Sequence, residues 1–404
     1  MPEFVCYQTA AGDSQPVSSL SPANRQPIAR ASHGSEKPVP AKIVPKCVLS
    51  WSESFSTTDD TMSERLDRAR QWVQNILGVQ SVDLQPASTD ASFRRYFRFS
   101  AQGTSLILMD APTDREDCRP YIAVSDLLEN AGIHVPTIHA RDLDSGFLLL
   151  EDLGHRCYLD ELDTDSAPAL YGDALGTLLA MQSRVPADAV PEYDTARVFQ
   201  ELSLFDDWFL GRHLRVDTTG TTGEVLSKSY QHLTDRFAEQ TRVFVHRDYH
   251  SRNLMRTLEH NPGVLDFQDA VAGPAAYDAI SLLRDVYIEW PRERVEAWLL
   301  EYHGRALREG LPVARDAAGF LRDADLIGAQ RHLKIAGIFC RLYYRDGKSD
   351  YLRDIPLTLR YLIGECERQP ELAALGNLLE ELDVMTKLQE KNMRSLGDVG
   401  APGT

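Results

Sequence analysis

No stretch of this 404-residue chain is apolar for the roughly 18 residues that a membrane-crossing helix needs. Runs such as GFLLL at 146–150 and AWLL at 297–300 are of core size. The start of the chain lacks the basic-then-apolar order of a secretory signal. Six cysteines, Cys6, Cys47, Cys118, Cys157, Cys340 and Cys366, are scattered and form no C-x-x-C. That pattern argues against zinc and for reduced thiols in a cytoplasmic protein. Positive charge is short as well: 43 Lys and Arg face 60 Asp and Glu, a formal net charge of -17. A field of that sign repels phosphate backbones, so nucleic acid is not an expected partner, and without a spanning run neither is a membrane. A local basic pocket for a small anion remains compatible with it. Internal repeats are missing too.

The rest of the composition is ordinary, with 43% hydrophobic and 25% charged residues, enough for a sizeable core. Residues 1–61 are rich in Ser and Pro without a sustained period, and are expected to be a disordered extension. Ordered chain is expected from Met62, a candidate natural start, with Ser63 as N-cap and an apolar stripe at Leu66, Trp72, Val73, Ile76 and Leu77. Strand-like runs follow: SVDLQPAS, FRRYFRFS with its alternation of aromatic and basic residues, and SLILMDAP. A helix over about 115–132 and a hairpin in TIHARDLDSGFLLLEDLG complete a small lobe over 62–153. Beyond Gly154, helical patterns dominate, at about 166–183, 195–213, 223–239, 275–288, 291–308, 314–338, 350–367 and 371–387. They make a larger lobe over 154–390, and 391–404 reads as a disordered tail. The fold class is α+β and bilobal, with a small N-terminal sheet lobe and a mostly helical C-terminal lobe. A ligand is expected in the cleft between them.

Chemistry concentrates in VHRDYHSRNLM, residues 245–255, where His246, Arg247 and Asp248 are followed by Asn253. This is the H-R-D-x-x-x-x-N loop of phosphotransfer. A hydroxyl attacking phosphorus must lose a proton, and Asp248 can orient that hydroxyl and take it. A weak base suffices where proton transfer is late. Magnesium wants hard oxygen ligands, which the Asn253 amide and the Asp266 carboxylate in GVLDF can supply. A solvated loop explains four spaced positions and a strand-borne aspartate poorly. A zinc site at His246 and His250 lacks a third ligand. His246 reads as structural, and Asp269, Asp278 and Asp285 as caps or salt-bridge partners. Asp269 is the least bland of these because it stands beside Asp266.

These motifs resemble the aminoglycoside phosphotransferase-like kinases, which share the two-lobed fold of protein kinases. Here DFQ replaces D-F-G at 266–268, and no A-P-E segment is present. Within that superfamily, DASFRRYFR, VHRDYHSRNLM, DFQDAVAGPAAYD with SLLRD, and GIFCRLYYRDGKSDYL look like the bacterial anomeric kinases of N-acetylmuramate and N-acetylglucosamine. The resemblance covers residues 62 to about 390. It implies Asp248 as base and Asn253 and Asp266 as magnesium ligands. Ser88, Thr89, Asp90, Ala91, Ser92 and Phe93 would form a turn over the ATP phosphates. Glu151 and Leu153 would lie in the hinge that meets adenine. Substrate contacts follow less directly: Glu201, Phe205, Trp208, Arg252 and Asp269 are the candidates, with helix core as the alternative for the two aromatics.

The third strand contains no lysine, and Met109 stands where a phosphate-gripping lysine is usual. Arg94 and Arg95 point to opposite faces of a strand, so one of them is expected to face the cleft and bind phosphate. The implied activity is an ATP- and Mg2+-dependent sugar 1-kinase, a monomer serving the recycling of cell-wall sugars. The alternatives are an aminoglycoside or other small-molecule kinase on the same fold, and a non-catalytic binding module.

Overall fold

Aromatic and basic residues alternate along FRRYFRFS, and alternation gives a strand two unlike faces. In the computed structural model, which describes residues 57–87 and 93–397, that strand lies inside an antiparallel sheet. The strands β1 (Gln85–Pro86), β2 (Arg95–Ala101), β3 (Thr104–Asp110), β4 (Ile138–Asp142) and β5 (Phe147–Glu151) stand in the order β1-β2-β3-β5-β4. Arg95 pairs opposite Asp110, and Tyr96 opposite Met109. Phe97, Phe99, Leu106, Leu108, Phe147 and Leu149 share one face and bury against Ala69 and Val73 of α1 (Thr57–Leu77). Met109, Leu148 and Leu150 share the other and join the larger core, which includes Tyr121 and Ile122 of α2 (Arg119–Asn130). The β4–β5 hairpin turns at Gly146, where a Cβ would meet the Ala111 carbonyl oxygen at 2.0 Å, so no larger residue fits.

The remaining helices are α3 (Tyr158–Glu161), α4 (Ala167–Arg184), α5 (Thr195–Leu204), α6 (Gly220–Glu239), α7 (Ala276–Leu283) and α8 (Arg292–Arg308). They continue as α9 (Ala317–Asp346), α10 (Ile355–Arg368), α11 (Ala373–Glu381) and α12 (Val384–Gly397). Between α6 and α7, β6 (Arg242–Val245) pairs with β9 (Val271–Pro274), and β7 (Leu254–Met255) with β8 (Gly263–Val264). No helix among the described residues is long and apolar enough to cross a membrane.

Several boundaries differ from the sequence expectations. Helix α1 starts at Thr57, inside the stretch expected to lack order, while residues 1–56 lie outside the described residues. At the other end α12 runs to Gly397, and Asn392 is buried, so the expected tail begins later than 391; residues 398–404 lie outside the described residues. The helix expected over 195–213 is α5 followed by a wider, π-helical segment, Phe205–His213. The one expected to stop at 338 extends to Asp346, where Gly347 caps it with φ +70°.

Helix α9 is the axis of the helical part. Every residue between Ala324 and Leu342 is buried except Ile338 and Arg341. Gly337 allows the closest approach: a Cβ there would lie 2.4 Å from the Leu204 carbonyl, at the end of α5.

Candidate active site

The loop after β6 cannot be regular, because Arg247 adopts φ +78°. A strained backbone persists only where its surroundings hold it. Here Asp278 of α7, fully buried, accepts the N–H groups of His246 at 2.7 Å and Arg247 at 3.0 Å. Burial pushes the Asp278 carboxyl up to about 7, against the pull of those two N–H groups. Asp285 accepts the Ser251 N–H at 2.9 Å and also its hydroxyl. Arg331 of α9 donates to the Arg247 carbonyl at 2.9 Å. The buried His246 ring donates from Nε2 to the Leu265 carbonyl at 3.0 Å, and its Nδ1 accepts the Asp248 N–H at 3.3 Å. Burial holds this imidazole neutral, with its pKa down at about 4. His246 thus ties the loop to the chain just before Asp266, as a structural residue and not a base.

Asp248 is held ready as an ionised carboxylate. Burial alone would raise its pKa, but Lys334, Arg247, Arg331 and His250 outweigh it and hold the group well below the usual carboxylate range. Arg331 and Lys334 were missed from the sequence. Their signal is cations inside the buried run RHLKIAGIFC, where a charge costs free energy unless it is paired.

Asn253 donates its side-chain N–H to the Asp248 carbonyl oxygen at 2.9 Å, which leaves its amide oxygen to face a cation. Asp266, exposed and at φ +62°, accepts from the Gln268 side chain at 2.7 Å. One amide oxygen and one carboxylate fit magnesium, which takes its other ligands from phosphate and water. Among the described residues no three His, Cys, Asp or Glu gather as metal ligands, and such a magnesium site needs no such cluster.

The nucleotide side is only partly in view. Ser88, Thr89, Asp90, Ala91 and Ser92 lie outside the described residues. Phe93 is exposed, with the Arg115 guanidinium 4.8 Å from its ring centre. Arg94 pairs with Glu116 at 3.0 Å and lies in the fields of Asp266 and Asp269. Burial works against its charge, and Tyr96, Glu116 and both aspartates more than offset it, so its pKa is raised. Arg95 belongs to the opposite face. Its Nε donates to the fully buried Asp110 at 3.0 Å, while Arg65 of α1 holds the other Asp110 oxygen at 2.7 Å. The expected role of Arg95 in nucleotide binding is therefore corrected to a sheet–helix clamp. Met109 is buried in the core. In the hinge, Leu153 is buried, and the Glu151 side chain accepts from Thr137 at 3.0 Å. Asp152, overlooked in the sequence, is gripped by Arg98 at 2.7 and 2.8 Å.

The expected substrate residues divide. Phe205 is fully buried against Phe209 and has no surface to offer a sugar. Glu201 is committed to Arg247 at 2.6 Å, Lys334 at 3.4 Å and the Tyr193 hydroxyl. Burial alone would raise its pKa, yet Lys334 and Arg247 lower it. Both assignments are corrected to packing and charge balance behind the loop. Trp208 is half-buried, with Arg212 stacked 5.0 Å from its ring centre. Arg252 is exposed, with its guanidinium carbon 3.6 Å from the Tyr287 ring centre. Asp269 is exposed near Arg94.

The profile of the "Phosphotransferase enzyme family" matches residues 83–320. The chain is 50% identical over 304 residues to an N-acetylmuramate/N-acetylglucosamine kinase of Pseudomonas aeruginosa, covering 75% of this chain and 90% of that one. It is 48% identical to the protein of the same name from Pseudomonas putida, covering 75% and 89%. Among solved structures, a choline kinase of Streptococcus pneumoniae superposes with a TM-score of 0.54 at 13% identity, covering 74% of this chain and 99% of that one. At that identity the likeness extends to the fold alone.

Proposed function

The chain belongs to the phosphotransferase enzyme family, and we propose that it transfers the γ-phosphoryl group of ATP to the anomeric hydroxyl of N-acetylmuramate and N-acetylglucosamine. The observation that supports the reaction is the loop 246–253, in which Lys334, Arg247 and Arg331 keep Asp248 ionised and the Asn253 side chain donates to the Asp248 backbone carbonyl. The names of the relatives supply the acceptor sugars.

Asp248 accepts a hydrogen bond from the acceptor hydroxyl and aims its oxygen at the γ-phosphorus. As the new P–O bond forms, the bond from that phosphorus to the bridging oxygen breaks and ADP leaves. The hydroxyl proton passes to Asp248. So acidic a carboxylate is a weak base, which suits late proton transfer in a loose transition state. An anomeric hydroxyl is more acidic than an ordinary alcohol and matches it. Asn253 and Asp266 would hold magnesium, which would neutralise charge on the phosphate oxygens. Arg94 takes the role of the missing strand lysine at the phosphates. The product is a sugar 1-phosphate, consistent with reuse of cell-wall sugars in the cytoplasm.

The test is turnover of labelled ATP across amino sugars, aminoglycosides and choline, followed by phosphorus NMR of the product. A phosphate coupled to the anomeric proton is expected. Coupling to a methylene, or turnover of aminoglycosides without amino sugars, would replace this reading by an antibiotic or 6-hydroxyl kinase.

A further inference from the structure

One face of α9 runs through Lys334, Ile338, Arg341 and Arg345, at the three- and four-residue spacing that stacks side chains along a helix. Its inner end is Lys334, the leading positive influence on Asp248. Outward from there the face opens. Ile338 and Arg341 alone reach solvent within the buried run Ala324–Leu342. The end of α5 and the Phe205–His213 segment pack against the same helix. This face therefore leads from the neighbourhood of Asp248 out to the surface.

Most cations around Arg341 are already engaged: Arg331 by the Arg247 carbonyl, Arg212 by the rings of Trp208 and Tyr344, and others by carboxylates. Arg247 and Lys334 share Glu201, Arg94 has Glu116, and Arg284 has Glu365 and Asp325. Among the described residues no carboxylate stands at ion-pair distance from Arg341, and its Nε, hidden from solvent, donates to nothing. Burial, and then Arg345 one turn on, lower its pKa, with Asp346 and Glu201 offsetting only in part. In a chain with 60 acidic residues, a half-buried guanidinium left without one is set up for an anion from outside. Arg252, the sequence-based candidate for that task, is less suited. It lies over Tyr287, and its charge already acts on Asp354, with Asp285 close by.

We propose that Arg341 anchors a carboxylate on the acceptor, and so separates the acidic N-acetylmuramate from the neutral N-acetylglucosamine. This rests on the function proposed above. The lactyl carboxylate of N-acetylmuramate accepts a charge-assisted pair of hydrogen bonds from the guanidinium, while the neutral sugar leaves Arg341 in water.

The experiment compares kcat and KM for both sugars in the parent, Arg341→Gln and Arg341→Lys. In the Gln variant the ratio of kcat/KM, N-acetylmuramate over N-acetylglucosamine, is expected to fall about 10- to 100-fold, mostly through KM. Lys should recover part of the loss, since it keeps the charge without the fork. A parallel change for both sugars, no change, or the same shift in Arg252→Gln but not in Arg341→Gln would overturn the proposal. Calorimetric binding of each sugar to Asp248→Asn protein, with and without Arg341→Gln, separates this idea from the kinase assignment. Preferential binding of the acidic sugar that disappears with Arg341 keeps the anchor even if the parent phosphorylates neither sugar. Binding without preference rejects it.

Discussion

Arg247 Nη2 donates to Glu201 Oε1 at 2.6 Å, directly behind the loop that carries Asp248. Removing the carboxylate strands two buried cations, Arg247 and Lys334. Glu201→Gln is therefore expected to lower unfolding free energy by about 3–5 kcal/mol and to reduce kcat as the loop loosens. Urea titration beside steady-state kinetics checks this. Unchanged stability with a selective rise in the sugar KM would return Glu201 to the acceptor site.

Asp248→Asn should fold as the parent does and still bind nucleotide, with kcat reduced by at least 10²–10⁴-fold. Retention of about a tenth of the activity would remove Asp248 from the role of base.

The two neighbouring arginines should part company. Arg94→Ala is expected to raise KM for ATP and lower kcat, since Arg94 lies in the field of Asp266. Arg95→Ala should leave kinetics near those of the parent and cost about 1–3 kcal/mol of stability, because Asp110 then relies on Arg65 alone. Similar small effects at both positions would mean that neither grips phosphate.

His213 supplies a pH signature away from the chemistry. It is fully buried, with Tyr344 on Nδ1 and Asn392 on Nε2, each at 3.2 Å, and burial lowers its pKa from 6.5 to about 4. Between those values the unfolded chain takes up a proton that the folded one refuses. Stability from this group is thus complete above pH 6.5 and is lost as pH falls toward 4. Going from pH 8 to 4.5, the parent should lose about 2–3 kcal/mol more than His213→Gln. Equal losses in urea titrations at the two pH values would count against a neutral buried imidazole.

Much of this was legible in the sequence because it is local. The H-R-D-x-x-x-x-N spacing is a property of one loop, and the period of two along FRRYFRFS announces a two-faced strand. What period two cannot say is which face meets the cleft. That choice falls on Arg94 because α1 covers the Arg95 side with Ala69 and Val73, a contact between distant segments. Phe205 and Glu201 misled for the same reason. Helical spacing marks a stripe without saying whether the stripe meets a ligand or another helix, and here α9 fills it. Arg331 and Lys334 lie about 80 residues beyond Asp248 and act on it only through the fold. The π-helical turn over Phe205–His213 leaves no trace in apolar spacing.

Gly337 lies on α9 between Lys334 and Arg341, close to the Leu204 carbonyl, so no larger residue fits there and the helix stays seated on the end of α5. That places the two cations on one rigid ruler, seven residues or about 10 Å apart along its axis. A substitution at 341 retunes the outer end alone. A single inserted or deleted residue between 338 and 341 would swing everything beyond it by about 100° while leaving Lys334 in place. A point change at 341 thus alters one side chain, whereas a change of length there displaces the whole outer end of the face, Arg341 and Arg345 together.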